Sequence, residues 1–345
     1  MQTYKARQSD LITLSTKTEY NPAATSEVWT DFLSSAIPDE NLRDWLQRFF
    51  GYCLCGDTAE NLFVFIHGVG GSGKTTTLNA INGALGDYAK IFSVDTICEN
   101  RKQKDGEEPS PALAALRGCR LARSSETKKN RRLDEATIKR WTGSDPLPAR
   151  ELHKPAFEFK PSFKIVVDGN FALRVTDIND DGLRRRLRIV PFDNPPAPDK
   201  VDTSLETKLS TPTARSAILN WLVEGWKNYQ AKGLKDIPAV MQTALDKFYT
   251  ANNVMADFLE AHDYQTGDKT DNKYRVQVMD AWKCYQKWQR ETPTASMLTR
   301  ADFVDAFTRA TQKDGVEVKL FDNTQYFIGC RLNTTAAYDF FAPPE

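Results

Sequence analysis

The chain has no surplus of either charge: its 46 Lys and Arg are balanced by 46 Asp and Glu, which argues against a generally basic nucleic-acid coat. It has no apolar run near the roughly 18 residues that a membrane span needs, so no membrane partner is expected. The opening residues, Met1-Gln2-Thr3-Tyr4-Lys5-Ala6-Arg7, lead into polar sequence and lack the apolar core of a signal peptide. A cytoplasmic location is the expectation that follows. The six cysteines, at 53, 55, 98, 119, 284 and 330, form no CxxC pair, and the chain has only three histidines. This argues against a structural zinc, and Cys53 and Cys55 read as reduced, buried thiols in an apolar stretch.

What is present is a soluble-type composition, with hydrophobic residues at 40% over 345 positions, more than one core usually organises. Residues 25–58 carry Val28, Phe32 and Leu33, then Leu42, Trp45, Leu46, Phe49 and Phe50, at helical spacing. They predict a small helical N-terminal unit, 1–58. From Leu62 the pattern changes to the unbroken run Leu62-Phe63-Val64-Phe65-Ile66, which fits a strand buried on both faces of a parallel sheet. Helical patterns at 75–85, 111–116 and 134–141 then alternate with strand-like ones at 91–94, 120–124 and 163–167, which predicts an α/β core over 59–197. Four prolines between Pro191 and Pro198 end it. Amphipathic helices at 216–229 and 239–249 predict a helical subdomain, 198–262. The segment 263–345 predicts helices at 276–288 and 299–310, then a hairpin with strands near 316–320 and 326–332 turning at Asp322-Asn323. The aromatics Tyr274, Trp282, Tyr285, Trp288, Phe303 and Phe307 fall at helical spacing there, which reads as core and not as a base-stacking surface.

Gly68-Val69-Gly70-Gly71-Ser72-Gly73-Lys74-Thr75 fits G-x-x-x-x-G-K-[ST]. In that pattern glycines let backbone N–H groups wrap a phosphate at a helix N-terminus. The same residues satisfy the dinucleotide pattern G-x-G-x-x-G, but Lys74 and Thr75 add a charge and a magnesium-binding hydroxyl, which favours a nucleoside triphosphate. Gly68, Gly70, Gly71, Ser72, Gly73, Lys74, Thr75 and Thr76 are the expected ATP-holding residues. Hydrolysis also needs a carboxylate at a strand end to hold magnesium or activate water. Glu126 follows the imperfect strand Arg120-Leu121-Ala122-Arg123-Ser124, and Asp168 ends the more hydrophobic Phe163-Lys164-Ile165-Val166-Val167. Hydrophobicity alone favours Asp168. Charge is also uneven: between Arg117 and Lys164 stand thirteen basic residues against six acidic ones.

Taken in order, the P-loop, Ser125-Glu126, the stretch Leu133 to Asp145, Ala149-Arg150, Phe157 to Pro161, Asn170 and Leu183 to Phe192 resemble the ATPase core of superfamily 3 helicases, the kind fused to primases in phages, plasmids and poxviruses. The resemblance implies an AAA+-like P-loop core with a parallel central sheet, a collar-like helical N-terminal unit and a C-terminal winged helix. It assigns Glu126 as the catalytic carboxylate and, with Thr75, a holder of Mg2+. Asn170 becomes the sensor beside the γ-phosphate, and Asp168 becomes secondary. Ser125 departs from the generic pair of acids. Arg185 or Arg186, unranked, would act on the neighbouring subunit's ATP. The segment 145–160 would form a hairpin in a ring channel, with Arg150, His153 and Lys154 touching the DNA backbone.

The implied activity is an ATP-hydrolysing replicative DNA helicase of a phage, plasmid or related element in a bacterial host. It would move 3′ to 5′ on single-stranded or forked DNA as a homo-oligomer, by expectation a hexamer, with a primase or polymerase as a possible further partner. Two rivals from other classes are an ATP-dependent DNA-binding initiator without unwinding and a small-molecule kinase.

Overall fold

A computed structural model describes residues 7–10, 12–99, 111–125, 131–170, 173–175, 180–292 and 298–333. They fall into two units, dividing between Phe248 and Tyr249.

In the first unit, Glu27–Ala36 (α1) and Glu40–Tyr52 (α2) each start at a side chain that accepts from a first-turn amide, Ser26 from Trp29 and Asp39 from Leu42. Each cap contributes about 1 kcal/mol. The periodic apolar residues of α2 point one way: Leu42, Trp45, Leu46, Phe49 and Phe50 are all buried. The unit continues with Phe63–His67 (β1), Lys74–Leu85 (α3), Ala89–Ile91 (β2), Pro111–Ala114 (α4), Leu121–Ser125 (β3), Glu135–Thr142 (α5), Leu147–Ala149 (β4) and Phe157–Phe159 (β5). Lys164–Gly169 (β6), Asp181–Arg184 (α6), Leu187–Pro191 (β7), Leu205–Leu209 (α7) and Pro212–Lys232 (α8) follow, and Ala239–Asn252 (α9) runs across the division. Helix α2 lies against α8 at a contact made possible by two glycines. A Cβ on Gly51 would stand 2.1 Å from the Trp226 nitrogen, and one on Gly225 would stand 2.0 Å from the Gln47 oxygen. The N-terminal helices therefore share one hydrophobic core with β1, α3 and α8.

Five strands pair in parallel in the order β2-β3-β6-β1-β7. The apolar run predicted to be doubly buried is buried from Leu62 to Ile66. β6 stands between β1 and β3, so Asp168 lies opposite Ile66 on one side and Ser125 on the other. The strand expected at 91–94 instead forms at 89–91, and Val94–Ile97 makes a short 3-10 turn. β4 and β5 form a separate antiparallel hairpin.

The second unit holds Val254–Ala261 (α10), Gln265–Thr266 (β8), Arg275–Gln277 (β9), Val278–Glu291 (α11), Arg300–Ala310 (α12), Glu317–Phe321 (β10), Thr324–Ile328 (β11) and Cys330–Arg331 (β12). β10, β11 and β9 form an antiparallel sheet in that order. Asp322 and Asn323 both take positive φ, 45° and 60°, as a two-residue hairpin turn requires. Tyr285, Phe303 and Phe307 are fully buried with Phe258 and Phe327, as their spacing predicts.

Candidate functional site

β1 ends at His67, the loop Gly68–Gly73 reverses the chain, and α3 begins at Lys74. Gly73 caps α3 at φ 90°, a left-handed conformation in which any side chain is strained, and no side chain accepts from the first-turn amides. Those amides and the positive end of α3 are therefore left to an anion. Lys74 is buried, and its Nζ donates to the carbonyls of Gly68 at 3.0 Å and Val69 at 2.6 Å and to Ser72 Oγ at 3.2 Å. The ammonium is thus fixed inside the curl of the loop. Burial lowers the Lys74 pKa, and the carboxylates of Asp168 and Asp193 oppose that shift. Ser72 Oγ in turn donates to the Val69 carbonyl at 2.8 Å. Thr76 Oγ1 donates to Glu206 Oε1 on α7 at 3.4 Å.

Asp168 is 3% exposed, and its Oδ2 accepts from Thr75 Oγ1 at 3.3 Å. Its other oxygen meets Arg123 Nε at 3.4 Å, and Arg123 is anchored to Asn79 Oδ1 of α3 at 2.6 Å. Burial raises the Asp168 pKa, with Arg123, Thr75 and Lys74 pulling the other way. Asn170, exposed just after β6, holds its amide nitrogen 3.9 Å from where a Cβ on Gly70 would be. The backbone of Asn170 also hydrogen-bonds His67, whose pKa burial lowers. Lys74, Thr75 and Asn170 thus meet at one end of the sheet. Glu126 lies outside the described residues.

Sequence reasoning set Asp168 second and did not single out Arg123, His67 or Asp193. The available signals were a charged residue inside an apolar strand, Arg123, and a carboxylate at the end of the most hydrophobic strand, Asp168.

The two adjacent arginines separate. Arg186 Nε donates to Thr142 Oγ1 at 3.1 Å and its Nη1 to the Gly182 carbonyl at 2.7 Å, whereas Arg185 is exposed. Much of the basic excess between Arg117 and Lys164 is used internally. Arg131 pairs with Asp95, Arg132 with Glu99, Lys139 with Asp180 and Arg123 with Asp168, and Lys164 is buried with its Nζ 4.2 Å from the Tyr52 ring centre. In the turn of the β4–β5 hairpin Arg150, His153 and Lys154 are all exposed, with Lys154 paired to Glu151 in the same turn. The turn is closed by Arg150 Nε donating to the Lys154 carbonyl at 3.2 Å and by His153 at φ 60°.

The residues present fit a magnesium-bound nucleoside triphosphate. The loop offers uncapped amides, a fixed ammonium and a hydroxyl beside a carboxylate, the donor set that triphosphate and magnesium need. Among the described residues no group of three or more His, Cys, Asp or Glu could hold a metal by itself. Magnesium suits such a site, because it keeps several waters and takes phosphate oxygens beside one or two protein ligands. Bound there, the ion would neutralise charge on the phosphates; the chain's own part is to hold and orient them.

A strand, a loop of the pattern G-x-x-x-x-G-K-[ST] and a helix on a parallel sheet form the arrangement that phosphate-binding loops take. A family model described as a family of unknown function (DUF5906) matches residues 66–186, from the end of β1 to Arg186. The chain is 28% identical over 281 residues to the Acanthamoeba polyphaga mimivirus protein named "Putative helicase L207/L206", covering 76% of this chain and 28% of that protein. It is 29% identical over 275 residues to "Putative helicase 022R" of Frog virus 3, covering 74% of this chain and 27% of that protein. A third relative, "Putative helicase V13" of Sputnik virophage, is 21% identical over 60% of this chain and 30% of its own length. The chain spans less than a third of each of these relatives. Among solved structures, the apo A form of the NrS-1 C-terminal region matches with a TM-score of 0.54 at 10% identity, covering 91% of this chain and 77% of that one. The last likeness shows the fold alone. Among the described residues no helix is long and apolar enough to cross a membrane.

Proposed function

We propose that the chain is the ATP-hydrolysing motor of a DNA helicase that works in the replication of a viral or other mobile element. The single observation that carries this reading is the phosphate cradle, with Lys74 held inside the loop and Thr75 beside a buried carboxylate at the same end of the sheet. Similarity to viral proteins named helicases supports DNA over a small molecule as the second substrate.

ATP lies along Gly68 to Thr76, with Lys74 on the outer phosphates and Thr75 toward magnesium. Glu126 activates the attacking water, and Asn170 senses the terminal phosphate. Arg185, whose side chain is exposed and makes no hydrogen bond or ion pair among the described residues, is the better finger toward a neighbouring subunit, and a hexameric ring is the form that would use it. Arg150, His153 and Lys154 present positive charge to the backbone of one DNA strand, with 3′ to 5′ movement. In the second unit, the order helix, strand, two helices and hairpin, with the sheet order β10-β11-β9, supports a winged helix. Purified protein should separate a forked duplex with ATP and magnesium, and Lys74→Ala should abolish both separation and hydrolysis. DNA-stimulated hydrolysis without any strand separation would instead identify an initiator or switch.

A further inference from the structure

P-loop motors hold magnesium with the loop Ser or Thr and a carboxylate at the end of a nearby strand. In this chain the last residue of β3 is Ser125, so that position carries no carboxylate. In the β3–β6 ladder Ser125 lies opposite Asp168, and in the β6–β1 ladder Asp168 lies opposite Ile66, two positions before the loop. The carboxylate is thus present one strand over, nearer the phosphate loop. It is also engaged with the hydroxyl in question, since Thr75 Oγ1 donates to Asp168 Oδ2 at 3.3 Å. Arg123, itself held by Asn79, fixes the other oxygen, which keeps Oδ2 turned toward Thr75.

We propose that Asp168 supplies from β6 the carboxylate that orients magnesium on the bound triphosphate, in place of a β3 acid at Ser125. The assignment rests on the ATP reading above. Magnesium retains much of its water in such sites, so Asp168 acts by accepting from a metal-bound water, in the position where it now accepts from Thr75. The competing reading is that Asp168 is only the buried counter-ion of Arg123.

The test is the affinity of the full chain for a fluorescent ATP analogue, measured with magnesium and again with chelator. In the unsubstituted protein magnesium should tighten binding. Asp168→Asn keeps the shape, with the amide oxygen accepting from Arg123 and the amide NH2 facing Thr75 Oγ1, a hydroxyl that can accept as well as donate. It should lose about tenfold or more of that gain, with metal-free affinity unchanged, as expected when a group orienting a metal's ligands is removed. A gain preserved within about twofold overturns the proposal. If Asp168→Asn does not fold, Asp168→Glu keeps the charge but moves it outward by one methylene. A several-fold smaller magnesium gain supports the assignment, and an unchanged gain overturns it. Failure of the unsubstituted chain to bind the analogue at all would overturn the ATP reading itself, a result distinct from a magnesium gain that Asp168→Asn leaves intact.

Discussion

Arg185 and Arg186 are neighbours in sequence with opposite surroundings, and that difference makes them separable by experiment. Arg185→Ala removes a side chain that is exposed and unpaired among the described residues, so thermal stability and ATP affinity should be unchanged. Hydrolysis should fall by about 10³-fold or more if the guanidinium acts on a neighbour's γ-phosphate. Arg186→Ala breaks the bonds to Thr142 and to the Gly182 carbonyl, so its first effect should be a loss of about 1–3 kcal/mol in denaturant unfolding. Equal loss of stability in both variants would refute the distinction. Nothing in the run Leu183-Arg184-Arg185-Arg186-Leu187-Arg188 ranks these side chains, because which of them meets Thr142 depends on α5, some forty residues earlier in the chain. The strand, loop and helix around Gly68 to Thr75 were legible because their pattern is local and their spacing is fixed by backbone geometry. Hydrophobicity drew attention to Asp168, but its closeness to Thr75 emerged only through strand order, since a contact across β3, β6 and β1 leaves no mark on any one segment.

Elements with strong internal periodicity were the ones the sequence disclosed. α2, β1, α3, α8 and α12 bury the residues their patterns single out, since one apolar face or one apolar run suffices to define each. α10 and β9 were not expected. β9 has three residues and exists through its pairing with β11, a partner about fifty positions later. The α2–α8 contact supplies a stability test: Phe49→Ala, at a fully buried site, should cost about 3–5 kcal/mol in denaturant unfolding. The same helix carries a pH test. Arg48, buried on α2, donates to both carboxylate oxygens of Asp236 just beyond α8, and this pairing lowers the Asp236 pKa. A depressed carboxylate contributes stability above its unfolded value near ~3.9 and loses it as pH falls through the lower folded value. The melting temperature should therefore drop as the solution is acidified below about pH 4, and the drop should be smaller in Asp236→Asn. On the β4–β5 hairpin, Lys154→Ala should weaken binding to single strands of every sequence alike. It should also flatten the slope of log affinity against log salt by about 0.7, the share of one lost phosphate contact.

At the scale of the whole molecule, the net charge is zero and several basic residues of the segment 117–164 are held in ion pairs, so a DNA grip of the proposed kind would gain from a ring that encloses the strand. The site points the same way. One chain supplies loop, ammonium, hydroxyl and carboxylate, yet the exposed side chain of Arg185 has no hydrogen bond or ion pair among the described residues, so an interface between copies is where it would act. With a non-hydrolysable ATP analogue and single-stranded DNA, sedimentation should show a closed oligomer, and a stable monomer under those conditions would remove the basis for a shared site. Mixing gives the sharper experiment. Arg185→Ala subunits keep a working phosphate loop, and Lys74→Ala subunits keep the arginine; each alone should be almost inactive. In rings assembled at random from equal amounts, about a quarter of interfaces would join an intact loop to an intact arginine, and hydrolysis should recover to about that fraction of the unsubstituted rate. Co-assembly without recovery would mean that Arg185 acts within its own chain or not at all.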